Sequence, residues 1–563
     1  MPRDTRPKVP EHVVSDQSAD AHSARWKELL KSDPRRAVRA LQLTGLSAES
    51  VEGDTAWDAV PVIEALQDVS CDPQGQVWKR LVRAGVVGAL CQCVIKFGRV
   101  TVQHDPAAPP PSKETISEMN RELNSAWYGP LAIICCAFLK CAVPPTPTEQ
   151  RMVEDLKTHW REVTDRIWHD PANSLTENRR AVLERAVLAQ IVMRVTCIDP
   201  SLLNIIADPA DKTLAICMRN WLHASAREDC VMNASLLLLM LDPDEHLPSR
   251  WRAHFDSHPL PPAHTLLSSI LADVRSAPGE GGQETTPEQI VQAIVNAATR
   301  HLPKPADQFG LPDVFLELEF LRTLLRLGTK GACPALPRAA YKSEPLWLAI
   351  TCVMRRAARE KAGRRHDHNV FILALNIFSG TLQPIQMENA ECANAMIRGW
   401  VIAGLLDELD EFSSVLIHEP SGPLNLTMSL YTIKACIPKL SSETLTMLRS
   451  QFPRPGMIFQ LLISSTMTQE EGDSHHKVFI SPGGFLRAEN PMWKQGAWQT
   501  LDDIAQTVAL PGECSNRGCT KPAHGPTCGT RRCKGARYCS QTCMHRCASI
   551  VTRLTYLPIL AMQ

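Results

Sequence analysis

Seven of the chain's 20 cysteines fall within 34 of its 563 residues, from Cys514 to Cys547. Six of them form pairs: Cys514 and Cys519 as C-x4-C, Cys528 and Cys533 as C-x4-C, and Cys539 and Cys543 as C-x3-C. Cys547 follows after three intervening residues. His524 and His545 lie among them. Zinc chemistry explains this pattern, because cysteines two to four residues apart can reach one ion that takes four soft or borderline ligands. A four-thiolate site carries excess negative charge, and Arg517, Lys521, Arg531, Arg532, Lys534, Arg537 and Arg546 would offset it in a stretch without Asp or Glu. The stretch also lacks Val, Ile, Leu and Phe, so its folding must depend on metal rather than on a core. The competing reading is an unstructured basic tail, which six cysteines paired at short intervals argue against.

The pattern resembles the MYND zinc finger. Tyr538-Cys539-Ser540-Gln541-Thr542-Cys543 matches that family's aromatic-Cys-Ser-x2-Cys segment. The resemblance implies a cross-brace of two zincs, with Cys514, Cys519, Cys539 and Cys543 on the first. Cys528 and Cys533 would join a late His and Cys on the second. Two features depart from the family. The second pair is C-x4-C where C-x2-C is usual, and the family's Trp and His-x3-Cys are replaced by Met544-His545-Arg546-Cys547. His545 and Cys547 are the only nearby substitutes, so the first ion is expected to be tight and the second loose or absent. After them the chain runs into the apolar residues 548–563, a change that points to a different reading frame or splice choice.

The finger needs a body to carry it, and the remaining chain reads as helices. Apolar residues make up 44% and charged residues 21%, and Lys plus Arg equals Asp plus Glu at 60 each, so no global charge bias favours nucleic acid or membrane. The polar N-terminus has no apolar signal core, no run approaches a membrane span, and the scattered cysteines read as buried free thiols. These features predict an intracellular protein, nuclear or cytoplasmic, with no membrane association.

Residues 1–24 are expected to be disordered and 25–510 to form the helical body, followed by the finger at 511–547 and the apolar tail at 548–563. Apolar residues recur at three- and four-residue spacing across 26–45, 57–98 and 115–143, with proline breaks at 105–112 and 144–148. Ser174 to Glu177 reads as a capping box opening a helix whose stripe is Leu183, Val187, Ile191 and Val195. Thr286-Pro287 opens another, and a third runs from Pro312 to a C-terminal cap at Gly328. Further helices are expected at 344–360, 367–379, 387–407, 424–437, 442–452, 456–467 and 496–509. About twenty helical segments without β-alternation predict an all-α fold, an armadillo- or HEAT-like solenoid, although no clean repeat period is visible. A helical body ahead of a C-terminal finger is similar to fungal MYND-domain proteins.

No P-loop, GxGxxG, GxSxG or HExxH occurs, nor the Asn-His-x-Cys motif of the SET methyltransferases that accompany some MYND fingers. His366, His368, His475 and His476 lie in polar stretches and read as solvated, as does the basic run Arg355, Arg356, Arg359, Lys361, Arg364 and Arg365. The expected function is therefore non-catalytic: a zinc finger on a helical scaffold that binds a peptide segment of a partner protein, in a transcriptional or regulatory adaptor. The alternatives are a nucleic-acid-binding zinc protein, disfavoured because the spacing matches neither a two-Cys two-His finger nor a six-cysteine binuclear cluster and no recognition helix follows, and an enzyme with an unseen site in the helical body.

Overall fold

Short proline- and glycine-containing breaks cut the apolar runs into helices that bury apolar faces against neighbouring helices. The structure, a computed structural model, describes residues 16–42, 50–51, 54–55, 59–96, 127–176, 179–276, 285–302, 311–359, 365–419, 421–452, 454, 457, 461, 492–509, 514, 519, 521 and 539–543. The fold is all-α. Among the described residues the only strands are two of two residues each, Ser50–Val51 and Asp54–Thr55, paired antiparallel. The single expected body divides into two compact units, Met1–Ala297 and Ala298–Gln563.

In the first unit, Val86–Lys96 packs against Pro34–Gln42, Tyr128–Leu139 and Pro147–His169. Tyr128–Leu139 packs in turn on Arg179–Ile198, that helix on Arg227–Leu241, and Thr213–Leu222 on both Arg227–Leu241 and Ala263–Ser276. The first helix is Asp16–Ser32, so residues 16–24 are helical where disorder was expected. Ala19, Ala21 and Ala24 are residue types that favour a helix. The Pro147–His169 helix begins inside a segment read only as a break. Pro147 occupies its first turn, and Thr146 and Glu149 form a reciprocal capping box.

Glu149 also accepts from the Ala142 N–H at 2.9 Å, the Thr146 N–H at 2.6 Å and Gln74 Nε2 at 2.8 Å. Burial pushes its carboxyl up, but these hydrogen bonds outweigh burial and hold it below the ordinary value. Its stabilising contribution is thus present above the unfolded carboxyl pKa and lost as pH falls through the lowered folded value. Glu149→Gln should cost about 1–3 kcal/mol at neutral pH by leaving donors unmatched. The difference in urea midpoint between wild type and variant should shrink in acid.

The helix expected from the Ser174 cap starts later, at Arg179. Ser174 lies instead in the 3-10 turn Ala172–Leu175 and donates its hydroxyl to the Pro171 carbonyl at 2.7 Å. Val187, Ile191 and Val195 are buried, but Leu183 is 50% exposed. A strict four-residue stripe drifts around a 3.6-residue helix, and the buried face passes through Ala181, Glu184, Arg185 and Leu188. The cap at Thr286 matches expectation: Gln289 N–H donates to Thr286 Oγ1 at 3.2 Å, and Thr286 N–H to Gln289 Oε1 at 2.8 Å.

In the second unit, Leu311–Thr329, Arg365–Ser379, Gly422–Cys436 and Met492–Val508 form one row, each packed on the next. Glu344–Arg359, Ala390–Ala403 and Ser442–Arg449 form a second row, with Ala390–Ala403 packed on both of the others. This two-row arrangement is a helical solenoid. Its repeat is not visible in the residue pattern but is explicit in the side-chain bonds. Arg398 reaches Glu443 across 45 residues, Arg454 reaches Asp407 across 47, Arg338 reaches Glu388 across 50, Arg355 reaches Glu408 across 53, and Lys439 reaches the Ile385 carbonyl across 54. Each bond joins one repeat to the next. The last step is longer: Lys434 meets Asp503 across 69 residues. Arg355, read as part of a solvated run, therefore ties two repeats together.

Gly328 is not the end of its helix, which continues to Thr329. The left-handed turn falls on Gly331, at φ +100°. Gly328 is needed for space, because a Cβ there would lie 2.8 Å from Pro337. Gly399 has the same role beside the aromatic centre of the unit. There Trp347, Phe378 and Trp400 rings stand 5.1–5.6 Å apart between centroids, and a Cβ on Gly399 would lie 2.8 Å from Trp347 Cδ1. Gly399→Ala should lower stability by about 1–3 kcal/mol through overpacking, seen as a reduced melting temperature.

One stretch, Asn369–Met387, is long and apolar enough to cross a membrane by length and composition, where no such run was expected; 56% of its window is buried. It spans two helices, Arg365–Ser379 and Leu382–Met387, and its Val370, Phe371, Ala374 and Phe378 are core residues of the second unit.

Candidate metal centre

The last helix, Met492–Val508, delivers the chain to the cysteine-rich segment. It packs on Gly422–Cys436 and Ser442–Arg449, Lys434 pairs with its Asp503 at 2.7 Å, and Arg449 Nε donates to its terminal Val508 carbonyl at 2.7 Å. Beyond it, Cys514 N–H donates to the Lys521 carbonyl at 3.0 Å, which brings these two residues together. On the other side, Ser540 Oγ accepts from Cys543 N–H at 3.3 Å, which caps a single helical turn at 541–543. That turn sets Cys543 on the same side as Cys539.

The result is a convergence of Cys514, Cys519, Cys539 and Cys543, whose sulfurs all lie within 4.8 Å of one another. The Sγ–Sγ separations are 3.5 Å for Cys539–Cys543, 3.6 Å for Cys519–Cys539 and 3.9 Å for Cys519–Cys543. Disulfides require about 2.05 Å, so these are free thiols. A tetrahedron with metal–sulfur bonds of about 2.3 Å has edges of about 3.8 Å. The three edges among Cys519, Cys539 and Cys543 match that tetrahedron, and with Cys514 within 4.8 Å the set could hold a metal ion.

Two further contacts suit that role. Cys539 N–H donates to Cys514 Sγ at 3.3 Å, the kind of bond that steadies charge on a ligating sulfur. Local desolvation, then hydrogen bonds with Cys543, Cys519 and Cys514, push the Cys539 thiol up to about 12. It keeps its proton at neutral pH until a cation displaces it, so metal uptake here releases protons.

Of the eight residues singled out in the sequence, the structure brings together these four. Cys528, Cys533, His545 and Cys547, the second set, lie outside the described residues, as does the apolar tail. Asp242, Glu245 and His246 also converge, with no regular ligand spacing to mark them; Asp242 precedes the four-residue helix Pro243–His246 that holds the other two.

No protein-family model matches the chain, and no curated protein matches it. Among solved structures it is similar to a circular tandem repeat protein with novel repeat topology and enhanced subunit contact surfaces. The two share 12% identity at a TM-score of 0.24, over 88% of this chain and 99% of that one. At that score the helical rows and their inter-repeat bonds, not the likeness, carry the fold.

Proposed function

We propose that the chain is a helical scaffold carrying a structural zinc finger that binds a peptide segment of a partner protein. The observation that supports the metal assignment is the convergence of the Cys514, Cys519, Cys539 and Cys543 sulfurs within 4.8 Å of one another, with Cys519, Cys539 and Cys543 3.5–3.9 Å apart. Zinc is the ion such a soft, four-thiolate tetrahedral set suits best. All four positions are filled by protein, leaving none for water or substrate, so the zinc is structural rather than catalytic. One ion is held tightly here; Cys528, Cys533, His545 and Cys547 offer a weaker second set.

The peptide-binding role rests on the MYND-like grammar of the segment, above all Tyr538-Cys539-Ser540-Gln541-Thr542-Cys543, and on the extended surface that stacked helices present. The test uses immobilised full-length chain panned against a peptide library, with the Cys539→Ser variant as competitor. Proline-containing peptides that bind wild type but not the variant, with little change between low and high salt, are the expected result. Binding of nucleic acid that falls steeply with salt, without any peptide enrichment, would overturn it in favour of a phosphate-contacting finger.

A further inference from the structure

The first unit carries a face of concentrated positive charge in a chain whose formal net charge is zero. Two nine-residue helices, Pro34–Gln42 and Gln76–Ala84, pack on each other, and neither contains Asp or Glu. Their apolar sides are buried through Ala37, Val38 and Leu41 on one and Trp78, Leu81 and Val82 on the other. What they leave outward is cationic. Arg35 and Arg39 are exposed one turn apart on the first helix, and Arg80 and Arg83, with part-exposed Lys79, on the second. Arg80 joins the two sets: its guanidinium donates to the Lys31 carbonyl at 2.7 Å and the Ser32 carbonyl at 3.4 Å, just ahead of Pro34.

Other exposed cations are matched by acids, as Lys342 is by Glu391 and Lys434 by Asp503. Among the described residues no acidic side chain pairs with Arg35, Arg39, Lys79 or Arg83, whereas at the margin Lys27 meets Asp68 and Lys31 meets Glu28. Helix stability does not explain the arrangement. Arg39 and Arg83 suit the negative ends of their helices, but Arg35 lies in the first turn of Pro34–Gln42, where a cation is unfavourable and an acid is preferred. We propose that this face is a docking surface for a short acidic peptide segment of a partner protein.

Chemistry and size select that partner. Guanidinium forks match carboxylates with two parallel hydrogen bonds, and the absence of any acid on either helix leaves those donors to a ligand. A nine-residue helix is about 14 Å long, a span that about four residues of extended chain cover. Two such helices side by side, each about 10 Å wide, present roughly 300 Å2, below the roughly 600–1,000 Å2 that a single nucleic-acid-binding module buries. Their one aromatic residue, Trp78, is buried, so no ring is offered for stacking a base, and neither helix has an exposed large apolar side chain to enter a membrane. The surface lies outside the cysteine-rich segment, and its occupancy does not depend on the metal.

The test follows the fluorescence anisotropy of fluorescein-labelled octaglutamate against full-length chain at low and at physiological salt. Arg35→Glu and Arg83→Glu are compared with Lys330→Glu, which makes the same charge change at an exposed position of the second unit. The expected result is saturable binding that weakens with salt, drops about tenfold in Arg35→Glu and in Arg83→Glu, and changes by about twofold at most in Lys330→Glu. Because an acid suits the first turn of a helix, Arg35→Glu should melt no lower than wild type, which separates lost binding from lost folding. No binding by wild type, unchanged affinity in Arg35→Glu and Arg83→Glu, or equal losses in all three variants would overturn the proposal. So would a short RNA duplex that binds through the same arginines more tightly than octaglutamate.

Discussion

Asp229→Ala is expected to destabilise the first unit by about 3–5 kcal/mol, because it strands a buried guanidinium. Arg185 and Asp229 both have fully buried side chains and meet at 2.7 Å. Asp229 also accepts from the N–H groups of Ser225, Ala226 and Cys230, and so caps the Arg227–Leu241 helix. Arg185 donates to the Ser174 and Thr176 carbonyls and to Ser225 Oγ. The pair thus joins two helices and the loop before each. Removing either partner leaves charge and several backbone groups unmatched in the core. The double variant Arg185→Met with Asp229→Leu should recover part of the loss, since it buries no orphan charge. Urea unfolding followed by far-UV circular dichroism measures both; a loss below about 1 kcal/mol for Asp229→Ala would contradict the network.

The larger effect belongs to the metal. Structural zinc contributes on the order of 10–16 kcal/mol of binding free energy in isolated fingers, and that free energy is what folds them. Cys539→Ser removes the thiol that contacts both Cys519 and Cys543 and whose N–H donates to Cys514. Its zinc affinity should fall by several orders of magnitude, and a chelator too weak to strip wild type should empty the variant. The helical units bury aliphatic faces that owe nothing to metal, so far-UV helicity should stay nearly unchanged as thiols in 514–543 become reactive. A large loss of helicity on chelation would show instead that the finger is integrated into the helical core.

The converging thiols were legible because thiol spacing is a direct record of chemistry: four residues between Cys514 and Cys519 and three between Cys539 and Cys543 suffice to aim them at one point. Helix positions were legible from apolar recurrence and from caps such as Thr286 with Gln289. What escaped were features set by tertiary contact. Ser174 has the grammar of a cap, but its carbonyl is claimed by Arg185, an interaction 11 residues away that no local pattern reveals. Gly328 resembles a helix end, yet its lack of a side chain serves the approach of Pro337. The solenoid repeat was hidden for a similar reason. It is kept by pairs such as Arg355–Glu408 and Arg338–Glu388, whose partners lie 53 and 50 positions apart, too far for a local residue pattern to reveal.

The most direct test of the zinc assignment is the zinc content of full-length chain purified under reducing conditions, compared across Cys514→Ser, Cys519→Ser, Cys539→Ser and Cys543→Ser. A single shared cage predicts that wild type carries zinc and that each of the four variants loses the same one equivalent. Zinc-free wild type, or variants that all retain the wild-type content, would contradict it.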